Sequence, residues 1–342
     1  MLAVLAPGQG AQKPGFLSPW LDLPGTEARL RWWSALAGVD LVHLGTTADA
    51  DEIRDTAKTQ PLLVAAAMIA GENLPLSDVG VVAGHSVGEI GAAALAGVLS
   101  AEAAITFAAV RGRDDLAGIE KFTAAPPAKV RVIALQVAGA FHTPYMAPAE
   151  KALAAVAGGI TPATPHRILL SNADGAGVND GATMLARLVA QVTAPVRWDL
   201  VMRTLADLGV TGVIELPPAG TLAGLVKREL KGAPPEIVTL NTPDDLKAAK
   251  DLIARHGVAP SHEPTMAFVL AVATVAGTFE PMPDIEVGSP VRAGQVLGHI
   301  TTRQGKAEVT AHDSGVLLEW LAHPNDPVSS GQPLVRIGGA HS

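Results

Sequence analysis

The pentapeptide Gly84-His85-Ser86-Val87-Gly88 has the G-x-S-x-G spacing that can present a serine as a nucleophile. An apolar run precedes it and an alanine-rich run follows, so it is predicted to form the turn between a strand and a helix. Glycines on both sides let the chain turn sharply, and the start of the helix stabilises negative charge that develops near Ser86. The same pentapeptide also occurs in ordinary loops rich in glycine and serine. The strand–turn–helix context favours Ser86 as a nucleophile.

A serine nucleophile needs a general base, and the chain contains ten histidines. His142 follows the apolar run 133–138, and a histidine at the end of a strand is well placed for that role. From spacing alone, a hydrogen-bonded structural histidine remains the alternative at this position. His85 lies inside the pentapeptide and is expected to point away from a shared site.

The strands and helices around Ser86 and His142 must position these two side chains. Over about the first 255 residues, short β-rich runs alternate with helical runs rich in alanine and leucine. Such alternation predicts an α/β fold with a parallel sheet covered by helices on both faces. The predicted strands are Leu2–Leu5, Val79–Ala83, Ile133–Val137, Ile168–Ser171, Val210–Leu216 and Ile237–Leu240. The predicted helices are 60–71, 88–97, 101–116, 147–157, 182–192, 198–208, 220–230 and 243–256.

The sequence changes character after the first domain, which is predicted to span residues 1–256. Residues 257–268 are predicted to be a linker, and residues 269–340 contain short β-runs separated by proline, glycine and aspartate turns. A P-V-x-x-G-Q-x-L pattern occurs there twice, at 290–297 and at 327–334. We therefore predict a second, all-β domain with two similar halves related by a pseudo-twofold axis. The segment between the repeats predicts a central hairpin with its tip near Gln304.

Composition excludes several classes of function. The 342 residues carry a net charge of −8 and 48% of them are hydrophobic, so a sizeable core is expected and a basic nucleic-acid-binding surface is not. The absence of cysteine excludes a disulfide scaffold, a thiolate metal site and a cysteine nucleophile. The first residues lack the pattern of a signal peptide, and the apolar stretches 62–70 and 266–276 are too short to span a bilayer. A cytoplasmic protein is expected, with neither a metal nor a membrane as a partner.

Further motifs surround the pentapeptide in a characteristic order. They are Pro7-Gly8-Gln9-Gly10-Ala11-Gln12, Thr59-Gln60-Pro61, Gly84-His85-Ser86-Val87-Gly88-Glu89, Arg111-Gly112, Gly139-Ala140-Phe141-His142, Gln191 with Pro195-Val196-Arg197-Trp198, and Glu215-Leu216-Pro217-Pro218-Ala219-Gly220-Thr221-Leu222. With these motifs, residues 1–255 resemble malonyl-CoA:acyl-carrier-protein transacylase, the malonyltransferase of fatty-acid and polyketide synthesis. The resemblance implies an acyltransferase domain with a parallel sheet similar to that of α/β-hydrolases.

The resemblance implies roles for individual residues. Ser86 would take the acyl group from coenzyme A, and His142 would act first as its base and later as the acid that releases each thiol. The family orients this histidine with a backbone carbonyl, whose matching position is Gln191. The backbone amides of Gln9 and Val87 would form the oxyanion hole.

The resemblance also assigns substrate recognition to Arg111, which would hold the malonyl carboxylate through a bidentate pair. From the sequence alone, a solvated residue at the end of a helix is the alternative for Arg111. Phe141, directly before His142, resembles malonyl-selective members of the family, because members that accept methylmalonyl usually carry serine there.

Two regions depart from their families. The ferredoxin-like subdomain that forms one wall of the transacylase cleft is reduced here to about 113–131, so an open cleft and altered carrier docking are expected. The second domain resembles biotinyl/lipoyl carrier domains, which are flattened β-barrels, but Gln304 stands where these domains carry the lysine that is modified. Lys306 lies two residues further on, off the predicted tip. Neither biotin nor lipoate is expected as a cofactor.

The expected function is transfer of a malonyl group from malonyl-CoA, through an acyl-serine, to an acyl carrier protein or a related thiol. An acyl-thioester hydrolase is one alternative, because water could enter an open cleft. A non-catalytic scaffold in an acyl-CoA carboxylase or polyketide assembly is the other, although the presence of Ser86, Arg111 and His142 argues against it. The β domain is expected to contact a protein partner.

Overall fold

A computed structural model of the chain describes residues 1–112, 140–232, 234–257, 268–303, 305–311 and 314–339. The chain forms two compact units, Met1–Pro260 and Ser261–Ser342. Four predicted features lie wholly or mostly outside the described residues: the strand Ile133–Val137, the shortened segment 113–131, the linker 257–268 and the tip residue Gln304.

The first unit is built around a sheet. Its described strands are β1 (Leu2–Ala6), β2 (Val81–Gly84), β3 (Ile168–Leu170), β4 (Gly177–Val178), β5 (Gly212–Glu215) and β6 (Glu236–Thr239). Their order is β4-β3-β2-β1-β5-β6, and every neighbouring pair is parallel except β3 and β4. The predicted parallel sheet is confirmed. The antiparallel strand β4 was not predicted, because a strand of two residues leaves no pattern in the sequence.

Helices flank this sheet. They are α1 (Thr26–Ala37), α2 (Leu41–Thr46), α3 (Thr56–Glu72), α4 (Gly88–Leu95), α5 (Ala101–Arg111), α6 (Ala147–Ala157), α7 (Gly181–Ala190), α8 (Trp198–Asp207), α9 (Thr221–Glu229) and α10 (Leu246–His256). Neither α1 nor α2 was predicted. The apolar residues that α1 buries are only Leu30, Trp33 and Ala37, and α2 has only six residues.

Two predicted helix boundaries differ from the structure for local reasons. The side chain of Asp55 accepts a hydrogen bond from the N–H of Ala57, so α3 begins at Thr56 rather than at residue 60. The helix predicted over 101–116 ends at Arg111, and Gly112 follows it. A Cβ at Gly112 would lie 2.5 Å from the carbonyl oxygen of Thr56, so α5 ends in close backbone contact with the start of α3.

Alternate side chains of β1 enter two different cores. Leu2, Val4 and Ala6 pack with residues of α3, α4 and α5 on one face of the sheet. Ala3 and Leu5 pack with residues of α8 and α9 on the other. Both faces of the central strand are therefore covered, which explains why its sequence is continuously apolar rather than alternating.

The second unit contains two four-stranded sheets of described residues. The strands are β7 (Phe268–Val272), β8 (Gly277–Pro281), β9 (Pro290–Val291), β10 (Val296–Thr302), β11 (Gly305–Thr310), β12 (Gly315–Trp320), β13 (Pro327–Val328) and β14 (Pro333–Gly339). The sheet orders are β11-β10-β8-β13 and β7-β14-β12-β9. Exchanging the first four strands with the last four converts one order into the other. The two similar halves predicted from the repeat are thus confirmed.

The repeated motif forms the same turn in each half. Gly294 and Gly331 have φ values of 81° and 83°, and their N–H groups donate over 2.7 Å to the carbonyls of Ala311 and Ala273. The side chains of the following glutamines accept from the backbone three residues earlier, at 2.9 Å for Gln295 and 3.0 Å for Gln332. The motif therefore specifies a turn that requires glycine in the left-handed region.

Candidate active site

The chain turns sharply between β2 and α4, and Ser86 lies in that turn. Its φ of 55° falls in the left-handed region, which is strained for a residue other than glycine. A Cβ on Gly84 would lie 2.0 Å from the carbonyl oxygen of Gly88, and a Cβ on Gly88 would lie 2.2 Å from that of Ala6. Both glycines of the motif are therefore needed for α4 to start directly against the ends of β1 and β2.

Asn172, which follows β3, holds this turn from the neighbouring strand. Its Oδ1 accepts the N–H of Ser86 at 2.9 Å, and its Nδ2 donates to the carbonyl of Gly84 at 2.7 Å. The amide thereby pairs backbone groups on both sides of the turn, which buried backbone requires. No role was predicted for Asn172. The available signal was a polar Ser171-Asn172 pair directly after an apolar run that ends a strand.

His142 meets the serine from a separate segment. Its Nε2 lies 2.7 Å from the Oγ of Ser86, and its own backbone is in the left-handed region with a φ of 66°. The N–H of His142 donates to the carbonyl of Val192 over 2.8 Å, which ties this segment to the chain after α7. The residues predicted as nucleophile and base are thus within hydrogen-bonding distance.

Two backbone carbonyls fix the tautomer of this histidine. The Nδ1 of His142 lies 3.0 Å from the carbonyl oxygen of Gln191 and 3.1 Å from that of Ala194. Because carbonyl oxygens only accept, Nδ1 carries the proton and Nε2 is free to accept from Ser86. Burial, and then the charge of Arg111, lower the pKa of His142 to about 4. The ring is therefore neutral at pH 7, as a general base must be.

Arg111 ends α5 with its side chain buried; only 1% of the residue is exposed. Nη1 donates to the Oε1 of Gln60 over 2.8 Å, and Nη2 donates to the Oε1 of Gln191 over 3.0 Å and to the Oγ of Ser86 over 3.3 Å. The guanidinium carbon lies 4.7 Å from the centre of the Phe141 ring. The alternative of a solvated helix-end residue is wrong.

The guanidinium of Arg111 is held by neutral oxygens and an aromatic face. Burial lowers its pKa to about 10, so it stays charged at neutral pH. Its Nε has no acceptor among the described residues. A buried cation with unused donor capacity beside the serine is suited to bind an anionic group of a substrate.

Gln191 joins the arginine to the serine turn. Its Oε1 accepts from Arg111, while its Nε2 donates to the carbonyl of Ser86 over 2.9 Å and also to a carboxylate oxygen of Glu89. Only a backbone contribution of Gln191 was expected from the resemblance. The structure adds the side chain, together with Gln60 and Glu89, which lie in quoted motifs but had no predicted role.

The predicted oxyanion-hole amides lie at two loops that touch. A Cβ on Gly8 would lie 2.9 Å from the carbonyl oxygen of His85, so the loop containing Gln9 passes close to the serine turn. Among the described residues, neither the N–H of Gln9 nor that of Val87 has a hydrogen-bond acceptor. His85 itself packs edge-on against Trp198, with ring centres 5.3 Å apart.

The chain was compared with known proteins. No protein-family model matches it. A malonyl CoA-acyl carrier protein transacylase of Mycobacterium tuberculosis is 43% identical over 305 residues, covering 74% of this chain and 100% of that protein. The chain belongs to the malonyl CoA-acyl carrier protein transacylase family. The relative from Mycolicibacterium smegmatis is 43% identical over 291 residues, covering 69% of this chain and 100% of that protein.

Solved structures of malonyl CoA-acyl carrier protein transacylases share the fold. A crystal structure of the Mycobacterium tuberculosis protein has a TM-score of 0.66 and 43% identity, and covers 73% of this chain and 99% of that one. The acyl-carrier-protein S-malonyltransferase of Burkholderia pseudomallei has a TM-score of 0.65 at 25% identity, with the same coverage. The relatives are matched over their whole length, whereas about a quarter of this chain is unmatched. The second unit, Ser261–Ser342, also makes up about a quarter of the chain.

Among the helices of the described residues, none is long and apolar enough to cross a bilayer. No group of histidine, aspartate and glutamate side chains in the described ranges is arranged to hold a metal ion.

Proposed function

We propose that the chain transfers a malonyl group from coenzyme A to the thiol of an acyl carrier protein through a malonyl-Ser86 intermediate. One observation carries the proposal: the Oγ of Ser86 is contacted both by the Nε2 of His142, at 2.7 Å, and by Arg111, at 3.3 Å. The oxygen that would act as the nucleophile is therefore in contact with both a base and a cation. Membership of the transacylase family supports the same assignment.

In the first half-reaction, Ser86 attacks the thioester carbonyl carbon of malonyl-CoA while His142 Nε2 takes the hydroxyl proton. The carbonyl oxygen becomes an oxyanion, which the N–H groups of Gln9 and Val87, without an acceptor among the described residues, can stabilise. The C–S bond then breaks, and the proton on Nε2 passes to the sulfur of coenzyme A. The products are malonyl-Ser86 and the free thiol of coenzyme A.

The second half-reaction reverses these steps with a new thiol. The carrier thiol gives its proton to His142 and attacks the ester carbonyl of malonyl-Ser86. The C–O bond breaks, and Nε2 returns the proton to the serine oxygen. Because the carbonyls of Gln191 and Ala194 face Nδ1, the imidazolium formed in each half-reaction is stabilised where it arises.

Arg111 supplies selectivity for a substrate with a free carboxylate. Its buried guanidinium makes a charged pair with the malonyl carboxylate, which an acetyl group lacks. Phe141 stacks 4.7 Å from the guanidinium carbon and limits the space beside the malonyl methylene. Phe141 is therefore expected to disfavour the methyl branch of methylmalonyl.

We also propose that the cleft is open where the family has its ferredoxin-like subdomain. The Mycobacterium tuberculosis match counts 305 aligned positions, whereas 74% of 342 residues is about 253, so about 50 positions have no counterpart here. That difference supports a subdomain reduced to about 113–131. An open cleft admits water to malonyl-Ser86, so thioester hydrolysis is the second candidate activity.

For the second unit we propose a biotinyl/lipoyl-like flattened barrel that docks a protein partner and carries no cofactor. The pseudo-twofold order of its two sheets and the tight β10–β11 hairpin support the barrel. Thr302 pairs with Gly305 at the end of the hairpin ladder. Lys306 is paired with Thr301 on the strand, and its Nζ lies 2.9 Å from a carboxylate oxygen of Glu280. A cytoplasmic location remains a prediction from the sequence.

The decisive experiment is intact-protein mass spectrometry of the full chain after incubation with malonyl-CoA. A mass increase of one malonyl group on Ser86, which then moves to an added holo acyl carrier protein, is the expected result. An adduct that disappears at the same rate with or without the carrier supports hydrolysis instead. A chain that never gains a malonyl group is not an acyltransferase, and the scaffold alternative would then stand.

A further inference from the structure

We infer that Glu89 is a positioning residue of the transfer reaction: its carboxylate fixes the amide orientation of Gln191 and thereby aligns Arg111 at Ser86. This inference rests on the proposed function, because it concerns how the cation that recognises malonyl is aimed. Glu89 follows Gly88 at the start of α4, so it lies three residues after the nucleophile.

The carboxylate of Glu89 is wholly enclosed; 1% of the residue is exposed. One oxygen accepts the backbone N–H of Asn172 over 2.6 Å, and the other accepts the Nε2 of Gln191. The hydroxyl of Ser171 is a further donor. Every contact of this carboxylate therefore goes to a residue that surrounds the serine turn.

An ionised carboxylate only accepts hydrogen bonds, and this property dictates which end of the Gln191 amide faces it. Nε2 must point to Glu89, so Oε1 points the opposite way, where it accepts from the Nη2 of Arg111 at 3.0 Å. If the amide rotated by 180°, an NH₂ group would face the guanidinium, and both groups are donors. Glu89, with the carbonyl of Ser86 that also accepts from Nε2 at 2.9 Å, thus disfavours the orientation that would displace Arg111.

Protonation of Glu89 weakens this constraint, because a carboxylic acid can donate to the Oε1 of a rotated Gln191 and only the carbonyl of Ser86 then still favours the original orientation. Burial raises the pKa of Glu89 to about 7, against the opposing effects of its hydrogen bonds and of the Arg111 charge. The titratable groups joined to the network are Arg111, on α5, and His142, in the segment before α6. The positioning is therefore expected to weaken as the pH falls through about 7.

The chain provides a matched control in Glu215, another wholly buried carboxylate. It is the last residue of β5 and accepts the N–H groups of Gly220, Leu222 and Ala223 at the start of α9, at 2.8–2.9 Å. Its contacts are to backbone only and do not include Gln191, Arg111 or Ser86. Glu215→Gln therefore tests what neutralising a buried structural carboxylate does by itself.

The experiment compares acylation of Ser86 by malonyl-CoA and by acetyl-CoA from pH 5.5 to 9, in the unmutated chain, Glu89→Gln and Glu215→Gln. The quantity of interest is the ratio of kcat/KM for the two substrates. His142 serves both substrates equally, so its protonation cancels in this ratio. We expect the ratio in the unmutated chain to fall about tenfold as the pH drops through about 7, the effect of one misdirected charged hydrogen bond.

Glu89→Gln should have the low ratio at every pH, whereas Glu215→Gln should behave as the unmutated chain does. The inference would be overturned if Glu89→Gln and the unmutated chain had the same ratio of kcat/KM at pH 8.5. It would also be overturned if this ratio depended on pH in the same way in both proteins. Should Glu89→Gln fail to fold, the pH dependence of the ratio in the unmutated chain decides, since a flat ratio contradicts the inference. If the unmutated chain forms no malonyl-Ser86 at all, it is the proposed function that has failed.

Discussion

The turn at Ser86 contrasts with the β10–β11 hairpin of the second unit, where the proposed resemblance to biotinyl/lipoyl domains would place a modified residue. At the first, side chains from α5 and from the segment before α6 contact the Oγ of Ser86, a side chain from directly after α7 contacts its carbonyl oxygen, and all three are largely buried. At the second, the nearest amine, Lys306, lies on a strand, is 58% exposed and pairs with Glu280. Convergence of distant side chains and burial therefore distinguish the first region from the second.

This difference shows where reactivity comes from. Burial beside a fixed cation shifts the pKa of His142 to about 4 and keeps its Nε2 able to accept a proton. An exposed ion pair such as Lys306–Glu280 contributes little energy and sets up no comparable reactivity. If the comparison is correct, substitutions at the first turn should remove or redirect chemistry, and the second should remain inert.

The largest effect is expected for Ser86→Ala, which removes the one oxygen that is acylated. The malonyl adduct should vanish and turnover should fall by at least about 10³-fold, with little further loss in the double variant with His142→Ala, since the two act as one unit. Intact-protein mass spectrometry detects the malonyl adduct, and thermal melting checks that the variants still fold. Ser77→Ala, an exposed serine, is the control. Malonylation of Ser86→Ala at the unmutated rate would show that the nucleophile lies elsewhere.

Arg111→Ala should lower kcat/KM for malonyl-CoA by about 10- to 100-fold and for acetyl-CoA by less than about threefold. The reason is that a charged pair with a carboxylate is worth about 1.5–3 kcal/mol, and acetyl has no carboxylate. Arg29→Ala, which breaks a surface pair with Glu72, should change neither value. Equal losses for both substrates in Arg111→Ala would assign that side chain a structural role.

The lowered pKa of His142 has a consequence for stability that His142→Gln should reveal. Unfolded histidine binds a proton near pH 6.5, whereas the folded ring binds it only near 4. The unmutated chain therefore loses stability relative to the variant as the pH falls from about 6.5 towards 4, by about 2 kcal/mol at pH 4.5. Urea unfolding at pH 7.5 and 4.5 measures the difference. Because Glu89 is present in both chains, its opposite pH dependence cancels.

The last prediction is that co-expression of the chain with a biotin ligase leaves it unmodified. Gln304 offers an amide where an amine is needed, and the amine of Lys306 is engaged by Glu280 on the strand. Mass spectrometry and a streptavidin blot should detect no biotin. Gln304→Lys restores an amine at the tip and is the informative companion variant. A mass increase of one biotin on the unmutated chain would show that the hairpin is also reactive, and the contrast with the Ser86 turn would be wrong.

Local sequence predicted much of this molecule where a short segment suffices. The glycines of the serine turn and of the two repeated β-turns are needed by their own backbone and near neighbours, so the motifs revealed them. Parallel strands were recognised because burial on both faces makes their residues continuously apolar. Elements with few buried residues, such as α2 and β4, left no pattern and were missed.

Within the site, the sequence determined the residue types, and the motifs pointed to Ser86, Arg111 and His142. Only the tertiary structure decided which neutral groups hold them. Asn172 reaches the serine turn across 86 residues, and Gln191 reaches its carbonyl across 105. Such contacts form because folding brings the end of the strand before Asn172 and the end of the helix before Gln191 to the serine turn, where buried amides must find partners. Partners chosen by that packing leave no periodicity or spacing in the chain, so they become visible only once it is folded.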